Sequence, residues 1–260
     1  MMRLPRSLAL LSVLCASCDQ LPGKPAPRAK PIDVTTVAGF QSYYATNCSG
    51  CHGVNGAQGP ARPLTDASYL ASVPADAMLA MLRDGIPGTR MPGFGTHSIG
   101  GVEALGGTTD AQLQAFITTM NSQWGASNAV ASTIPWKHTA GLGDASRGAS
   151  TFATHCLVCH TQDNTTAGSV TDPFYLRLVS DQHLRTSIVF GRNDRNGRND
   201  PNGRNDAKAA MPAANGPFPT TAGQPALASL TAANVDDLVA YLASLRGTGL
   251  SMNESKDSAP

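Results

Sequence analysis

The sequence predicts an all-α protein built as two tandem helical domains, and three observations predict it. A Cys-x-x-Cys-His pentapeptide occurs twice, as Cys48-Ser49-Gly50-Cys51-His52 and as Cys156-Leu157-Val158-Cys159-His160, 108 positions apart in a chain of 260 residues. Each copy ends a stretch of helical character and is followed by a Met-Pro pair, Met91-Pro92 or Met211-Pro212, and then by an amphipathic run. Only 41% of residues are hydrophobic and 5% aromatic, a thin supply for domains of ~90 residues, so each domain needs apolar mass from elsewhere.

The pentapeptide says what that mass is. Two thiols three positions apart on one helical turn can each bond to one vinyl group of a haem, and the adjacent histidine is then held beneath the iron as an axial ligand. Cys48, Cys51, Cys156 and Cys159 are thus assigned to covalent attachment of two c-type haems, and His52 and His160 to the iron. A zinc clip would want further Cys or His ligands near each half, and a thioredoxin-type redox pair does not require the trailing histidine. Of the six cysteines, the remaining two, Cys15 and Cys18, lie near the N-terminus, so none is left for a disulfide within the domains. Without Arg3 and Arg6 the formal charge moves from +1 to −1, which gives no case for nucleic-acid binding.

Residues 1–18 carry those two arginines, an apolar run from Leu8 to Leu14 and then Cys15-Ala16-Ser17-Cys18, the zones of an export signal. The run is too short to span a bilayer as a helix. Its ending resembles a bacterial lipoprotein signal, with Ala16 and Ser17 as the small residues before an acylated Cys18, although Cys15 stands where that pattern prefers an aliphatic residue. Asp19 resembles the inner-membrane retention signal of some Gram-negative lipoproteins. Export and a lipid anchor at a membrane surface are the expectation, with a soluble exported form as the alternative. Residues 19–31, rich in proline, read as an extended tether.

The first domain is expected over 32–124. Val37, Phe40, Tyr43 and Tyr44 at helical spacing deliver Cys48 on one apolar face. Gly53-Val54-Asn55-Gly56-Ala57-Gln58-Gly59-Pro60 then forms a turn-rich loop. A helix with Met78, Leu79, Met81 and Leu82 runs from Pro74 to Gly85, and Met91 follows in irregular backbone between glycines. Thr108-Thr109-Asp110 caps a closing helix with Leu113, Phe116, Ile117 and Met120. On these residues the domain resembles a class I cytochrome c. The resemblance implies His52 as proximal ligand, Met91 as distal ligand, and the carbonyl of Pro60 as acceptor for the Nδ1 proton of His52. His97 is the rival to Met91, while Met78, Met81 and Met120 read as core. Thr119 stands where the family has an aromatic residue, which predicts a looser helix crossing.

Residues 125–141 read as an interdomain strap, and 142–247 as the second domain. Asp144 starts a helix in which Gly148 and Phe152 precede Cys156 by eight and four positions, offsets that resemble the family's. The closing helix, expected from Asn234 to Arg246, turns Val235, Leu238, Val239, Tyr241, Leu242 and Leu245 inward. The resemblance makes His160 proximal and Met211 distal, with Phe218 in the role of Phe94. Two departures stand out: no Gly-Pro follows His160 at the first domain's offset, and Gly191 to Met211 is 20 positions where Gly85 to Met91 is 6. The difference is a Gly-Arg-Asn-Asp hexapeptide repeat, an insertion at 191–208 expected to be an exposed loop. Its spacing faintly suits calcium, but the interleaved arginines argue for contact with acidic partners or haem propionates instead. His138 and His155 read as structural, and His183 as a reserve ligand should Met211 lie too far away. Residues 248–260 read as a polar tail.

Function follows from the ligand set. A soft methionine sulfur favours ferrous iron, so a His-Met pair raises the potential and points to electron transfer. No nucleophile-base pair or second metal cluster is visible. The resemblance implies an exported dihaem electron carrier, not an enzyme, working between redox proteins such as a quinol-oxidising complex, a dehydrogenase or a terminal oxidase. The alternatives are a permanent haem subunit of such a complex, a dihaem peroxidase or thiosulfate-oxidising enzyme with an open second haem, and a haem sensor.

Overall fold

Side-chain caps open three of the five described helices of the first half. In the computed structural model, which describes residues 32–96, 107–161, 169–192, 211–218 and 225–247, Thr36 accepts the Gly39 N–H and opens α1, Val37–Asn47. The motif forms a separate turn, α2, Ser49–His52. Asp66 caps α3, Ala67–Ser72, and Pro74 precedes α4, Ala75–Asp84. A reciprocal capping box between Thr109 and Gln112 opens α5, Asp110–Trp124. The sites proposed at Cys15, Cys18 and His97, the repeat from 193 on, and the tail lie outside the described residues.

The second half repeats this order. Asp144 caps α6, Ala145–His155, and Asp172 caps α7, Pro173–Leu178. Ser180 caps α8, Asp181–Phe190, and a Thr231/Asn234 box opens α9, Ala232–Ser244. Helix α9 thus begins two residues before the expected start, because Asn234 is its third residue and reaches back to the cap. Helices α3, α7 and α8 are additions to the sequence reading, although Asp172-Pro173 is a readable start signal, a cap followed by proline at the first helical position. Among the described residues the only extended pairing is an isolated antiparallel bridge between Arg192 and Met211.

The two closing helices are in register from their caps. Leu113, Phe116, Ile117 and Met120 stand four, seven, eight and eleven residues after Thr109, and Val235, Leu238, Val239 and Leu242 stand at the same offsets after Thr231. All eight are buried. Tyr241 and Leu245 are half-buried against the same core. In the first half Phe40, Tyr43 and Tyr44 point inward, whereas Val37, in the first turn beyond the reach of α5, is 44% exposed.

The crossings differ in a compensated way. Tyr241 lies ten residues after its cap, as Thr119 does after its own, and Gly148 lies eight residues before its motif, as Phe40 does. Bulk at the crossing therefore sits on the closing helix in one half and on the leading helix in the other. Phe40 stacks on Phe116 at 4.9 Å and on Trp124 at 5.1 Å, and Phe152 meets Tyr241 at 5.5 Å. With glycine at 148, α6 and α9 approach closely along much of their length, while α1 and α5 touch over a short stretch. The looser first crossing expected from Thr119 is thus present, but it is filled by Phe40, Phe116 and Trp124.

The second crossing is also tied by charge. Asp237, 3% exposed, accepts the Asp144 N–H at 2.6 Å and both a 2.8 Å Nε and a 2.8 Å Nη2 bond from Arg147. The Arg147 hydrogen bonds hold its carboxyl below the usual carboxylate range. A depressed folded value means stability that is present above the unfolded pKa and lost as pH falls through the folded one. We expect Asp237→Ala to cost about 2 kcal/mol at neutral pH, with a gap from wild type that closes only at an acid pH below the lowered folded value, where the carboxyl is protonated in both folded and unfolded chains. Urea melts at the two pH values check this.

The strap is built into both halves. Ser68 Oγ donates to Val130 O and Ser132 N to Ser72 Oγ, while Trp136 O accepts from Gln182 and Pro135 O from Arg185 Nε at 2.8 Å. Ile134 is buried in the second half's core.

Candidate functional site

Each motif is a cap and a turn. The Cys48 carbonyl accepts from Cys51 N at 3.2 Å and from His52 N at 2.9 Å, and the Cys156 carbonyl accepts from Cys159 N at 3.0 Å and from His160 N at 2.9 Å. The same closure puts both thiols and the imidazole of each motif on one turn. None of the four motif cysteines is in a disulfide. Burial, with the neighbouring cysteine second, pushes Cys48 and Cys156 up to about 12. A redox dithiol needs the opposite shift, toward a thiolate. Among the described residues no three His, Cys, Asp or Glu side chains are grouped to hold a metal ion.

His52 is oriented by a backbone carbonyl, and here the structure corrects the expectation of Pro60. The acceptor is Arg62 O, 2.7 Å from Nδ1. The reason is the loop's closure: Ala61 N donates to Cys51 O at 2.9 Å and Leu64 N to Gly56 O at 2.8 Å, pinning the chain on either side of Arg62. Left-handed backbone at Asn55, Gly56 and Gln58 carries the loop to that point. With the proton on Nδ1, Nε2 keeps its lone pair for a metal. Burial lowers the His52 pKa, which favours the neutral, ligating ring.

The two methionines sit in matching cradles. After α4, Ile86 N donates to Met91 O at 3.1 Å; after α8, Arg192 N donates to Met211 O at 2.9 Å and Met211 N returns to Arg192 O at 3.2 Å. Three residues beyond each methionine, Phe94 O accepts from Thr108 N at 3.0 Å and Ala214 O from Leu230 N at 2.7 Å, so both loops lead into the closing helix alike. Despite the longer approach in sequence, the Arg192–Met211 bridge leaves the methionine where Met91 stands in the first half. The insertion's first residues are not an exposed loop, since Gly191 is buried and Arg192 half-buried. Ala214, not Phe218, occupies the place of Phe94; Phe218 instead meets the His155 ring edge-on at 5.1 Å. His138 lies 3.7 Å from Asp181, and His183 is partly buried on α8, with its N–H held by the Ser180 hydroxyl.

Residues 35–106 match the family model described as cytochrome c oxidase, cbb3-type, subunit III, and residues 145–246 match the family model described as cytochrome c. The chain carries two cytochrome c-type domains in tandem. No curated protein and no solved structure gives a significant match. Each cytochrome c-type domain carries one covalently bound haem c, and such domains are electron-transfer haem proteins. The donor set fits that group: in both domains two cysteines a turn apart outside any disulfide and a methionine held by its backbone on the loop before the closing helix, and in the first an imidazole with one nitrogen committed to a carbonyl.

The cytochrome c-type domains share residues that sequence reasoning missed. Arg62, 7% exposed, donates Nη1 to Thr186 O at 3.0 Å and to Gly191 O at 2.8 Å in the other domain, and pairs with Asp66. Its guanidinium carbon lies 5.4 Å from the centre of the Tyr69 ring and 5.2 Å from that of Phe190, which meet edge-on at 5.4 Å. Arg192 Nη2 donates back to Gly59 O at 3.1 Å. The signal for Arg62 was absent from the sequence; for Arg192 it was hidden, as the first arginine of a repeat.

Proposed function

We propose that this is an exported dihaem cytochrome that passes single electrons between respiratory or dehydrogenase partners, with His52 and Met91 as the axial ligands of the first haem and His160 and Met211 as those of the second. The observation that carries this is the equivalence of the two methionine cradles, which gives both halves the same distal donor. Bound haem supplies a one-electron iron couple. The chain's part is to hold and to shield. The Arg62 carbonyl fixes the plane and tautomer of His52, the backbone bonds at Ile86 and Arg192 present each sulfur, and the buried faces of α5 and α9 keep water out. A methionine in place at each site leaves no open position for substrate, which speaks against a peroxidase-type second haem.

Redox titration with optical and electron-paramagnetic detection tests the ligand set. Met91→Ala is expected to remove the methionine signature of the first haem alone and Met211→Ala that of the second alone, each with a fall in that haem's potential. A second haem whose signature survives Met211→Ala has a different ligand, and the proposal for that site fails.

The similarity of the first domain to an oxidase subunit model favours a second reading, a permanent haem subunit of an oxidase or quinol-oxidising complex. Copurification in mild detergent separates this from a mobile carrier. Export across the membrane is supported by the N-terminal sequence and by the cytochrome c-type domains, which are typically extracytoplasmic, and the Ala16-Ser17-Cys18 pattern supports acylation at Cys18. Among the described residues no helix is long and apolar enough to cross a membrane. Intact-mass measurement of the matured protein counts the haems and reports acyl chains at Cys18 together.

A further inference from the structure

Arg62 occupies two sites at once. Its carbonyl accepts the Nδ1 proton of His52 at 2.7 Å, and its side chain, packed against both the Tyr69 and Phe190 rings, donates to Gly191 O at 2.8 Å. Gly191 is the residue before Arg192, whose backbone exchanges both hydrogen bonds with Met211. Arg192 in turn sends its guanidinium to Gly59 O, in the loop that leads to Arg62. Each arginine therefore belongs by its backbone to one haem site and by its side chain to the other.

We propose that Arg62 and Arg192 form a reciprocal clasp that makes the proximal side of the first haem site and the distal side of the second one mechanical unit, with Arg62 a positioning residue for both. The proposal rests on the assignment of His52 and Met211 as ligands. Its physical basis is that a buried guanidinium packed against two rings, with two carbonyls accepting from one nitrogen, has little freedom to move without disturbing each acceptor. A shift of the Arg62 carbonyl that holds the His52 imidazole is carried by the buried Arg62 side chain to Gly191, and the two-bond pairing of Arg192 with Met211 passes it to the methionine. Among the described residues the second cradle is closed by that bridge and by the Ala214 N–H bond to Val189 O at 3.2 Å, and the clasp adds bracing from the first domain. The interface thereby lets a change at one haem alter the ligand field of the other.

The test uses the matured dihaem protein with Arg62→Met, Arg62→Lys, Arg192→Met and the double Met variant. Asp66→Asn is the control, since it removes the ion pair and keeps the carbonyl bonds. Axial-ligand spectra of both haems and amide hydrogen exchange at Arg192 and Met211 are read together. Arg62→Met is expected to speed exchange of these two amides about tenfold or more and to broaden or split the methionine signature of the second haem, from a substitution in the first domain. Asp66→Asn leaves both unchanged. Lysine keeps one donor and loses the planar fork, so it gives an intermediate rate, and it carries the test if Arg62→Met fails to mature. The double variant is expected to lose less than the two singles combined. If wild type shows the methionine signature at the second haem and Arg62→Met and Arg62→Lys leave it and the exchange rates unchanged, the clasp has no positioning role. If wild type lacks that signature, the ligand assignment falls and the clasp proposal falls with it.

Discussion

Gly148→Ala is expected to cost about 3 kcal/mol or more and to lower the thermal midpoint by roughly 10 °C, even though alanine is the better helix former. The opposing magnitudes decide the sign. Alanine in a helix interior gains about 1 kcal/mol over glycine. Here, however, a Cβ would stand 2.0 Å from Asp237 O and 2.7 Å from the Tyr241 Cβ, so α6 and α9 must part. Parting them also strains the bonds from Asp144 and Arg147 to the Asp237 carboxylate and opens the core around Phe152, Val235 and Leu238. Because that core surrounds the second motif, haem incorporation at Cys156 and Cys159 should fall with stability. Ser150→Ala, on an exposed position of the same helix, is the control and should be close to neutral. A Gly148→Ala protein that melts with wild type would mean the helices do not cross at this distance.

Gly191→Ala is expected to remove the methionine signature of the second haem in most molecules while Met211 itself is untouched. Gly191 has φ +68°, a conformation that side-chain-bearing residues adopt at a cost of about 1–3 kcal/mol, and an added Cβ would lie 2.3 Å from Met211 O and 2.8 Å from Ala213 N. The strain cannot be relieved without moving the strip of backbone that carries the sulfur. Gly85 repeats the case in the first half, with φ +76° and a Cβ position 2.6 Å from Met91 O and 2.7 Å from Gly93 N. Gly85→Ala should therefore show the mirror result, loss at the first haem with the second intact. Axial-ligand spectra of the two variants side by side check both. Retention of both methionine signatures would mean the cradles do not place the ligands.

Much of the fold was legible because its signals are local. Thr109 and Thr231 cap their helices through residues three positions on, and the apolar offsets that follow them define the buried faces of α5 and α9. The motifs name their own chemistry for the same reason: Cys48, Cys51 and His52 are brought together by one turn. Helices α7 and α8 were less visible because α7 is under two turns long and α8 sets Arg185, Thr186 and Ser187 between its apolar residues, although Asp172 and Ser180 do cap them.

The sequence by itself determined two Cys-x-x-Cys-His turns, which we propose as the haem attachment and proximal sites, and the register of the closing helices, since each depends on residues within a few positions of one another. Only the tertiary structure decided that Arg62 and not Pro60 holds the His52 proton, that Met211 returns to the bridge with Arg192 across the insertion, and that Arg62 reaches carbonyls 124 and 129 residues away. A backbone carbonyl is carried by every residue. Which one arrives beside an imidazole or a guanidinium is set by how the loops close and the halves pack, and no residue type announces it.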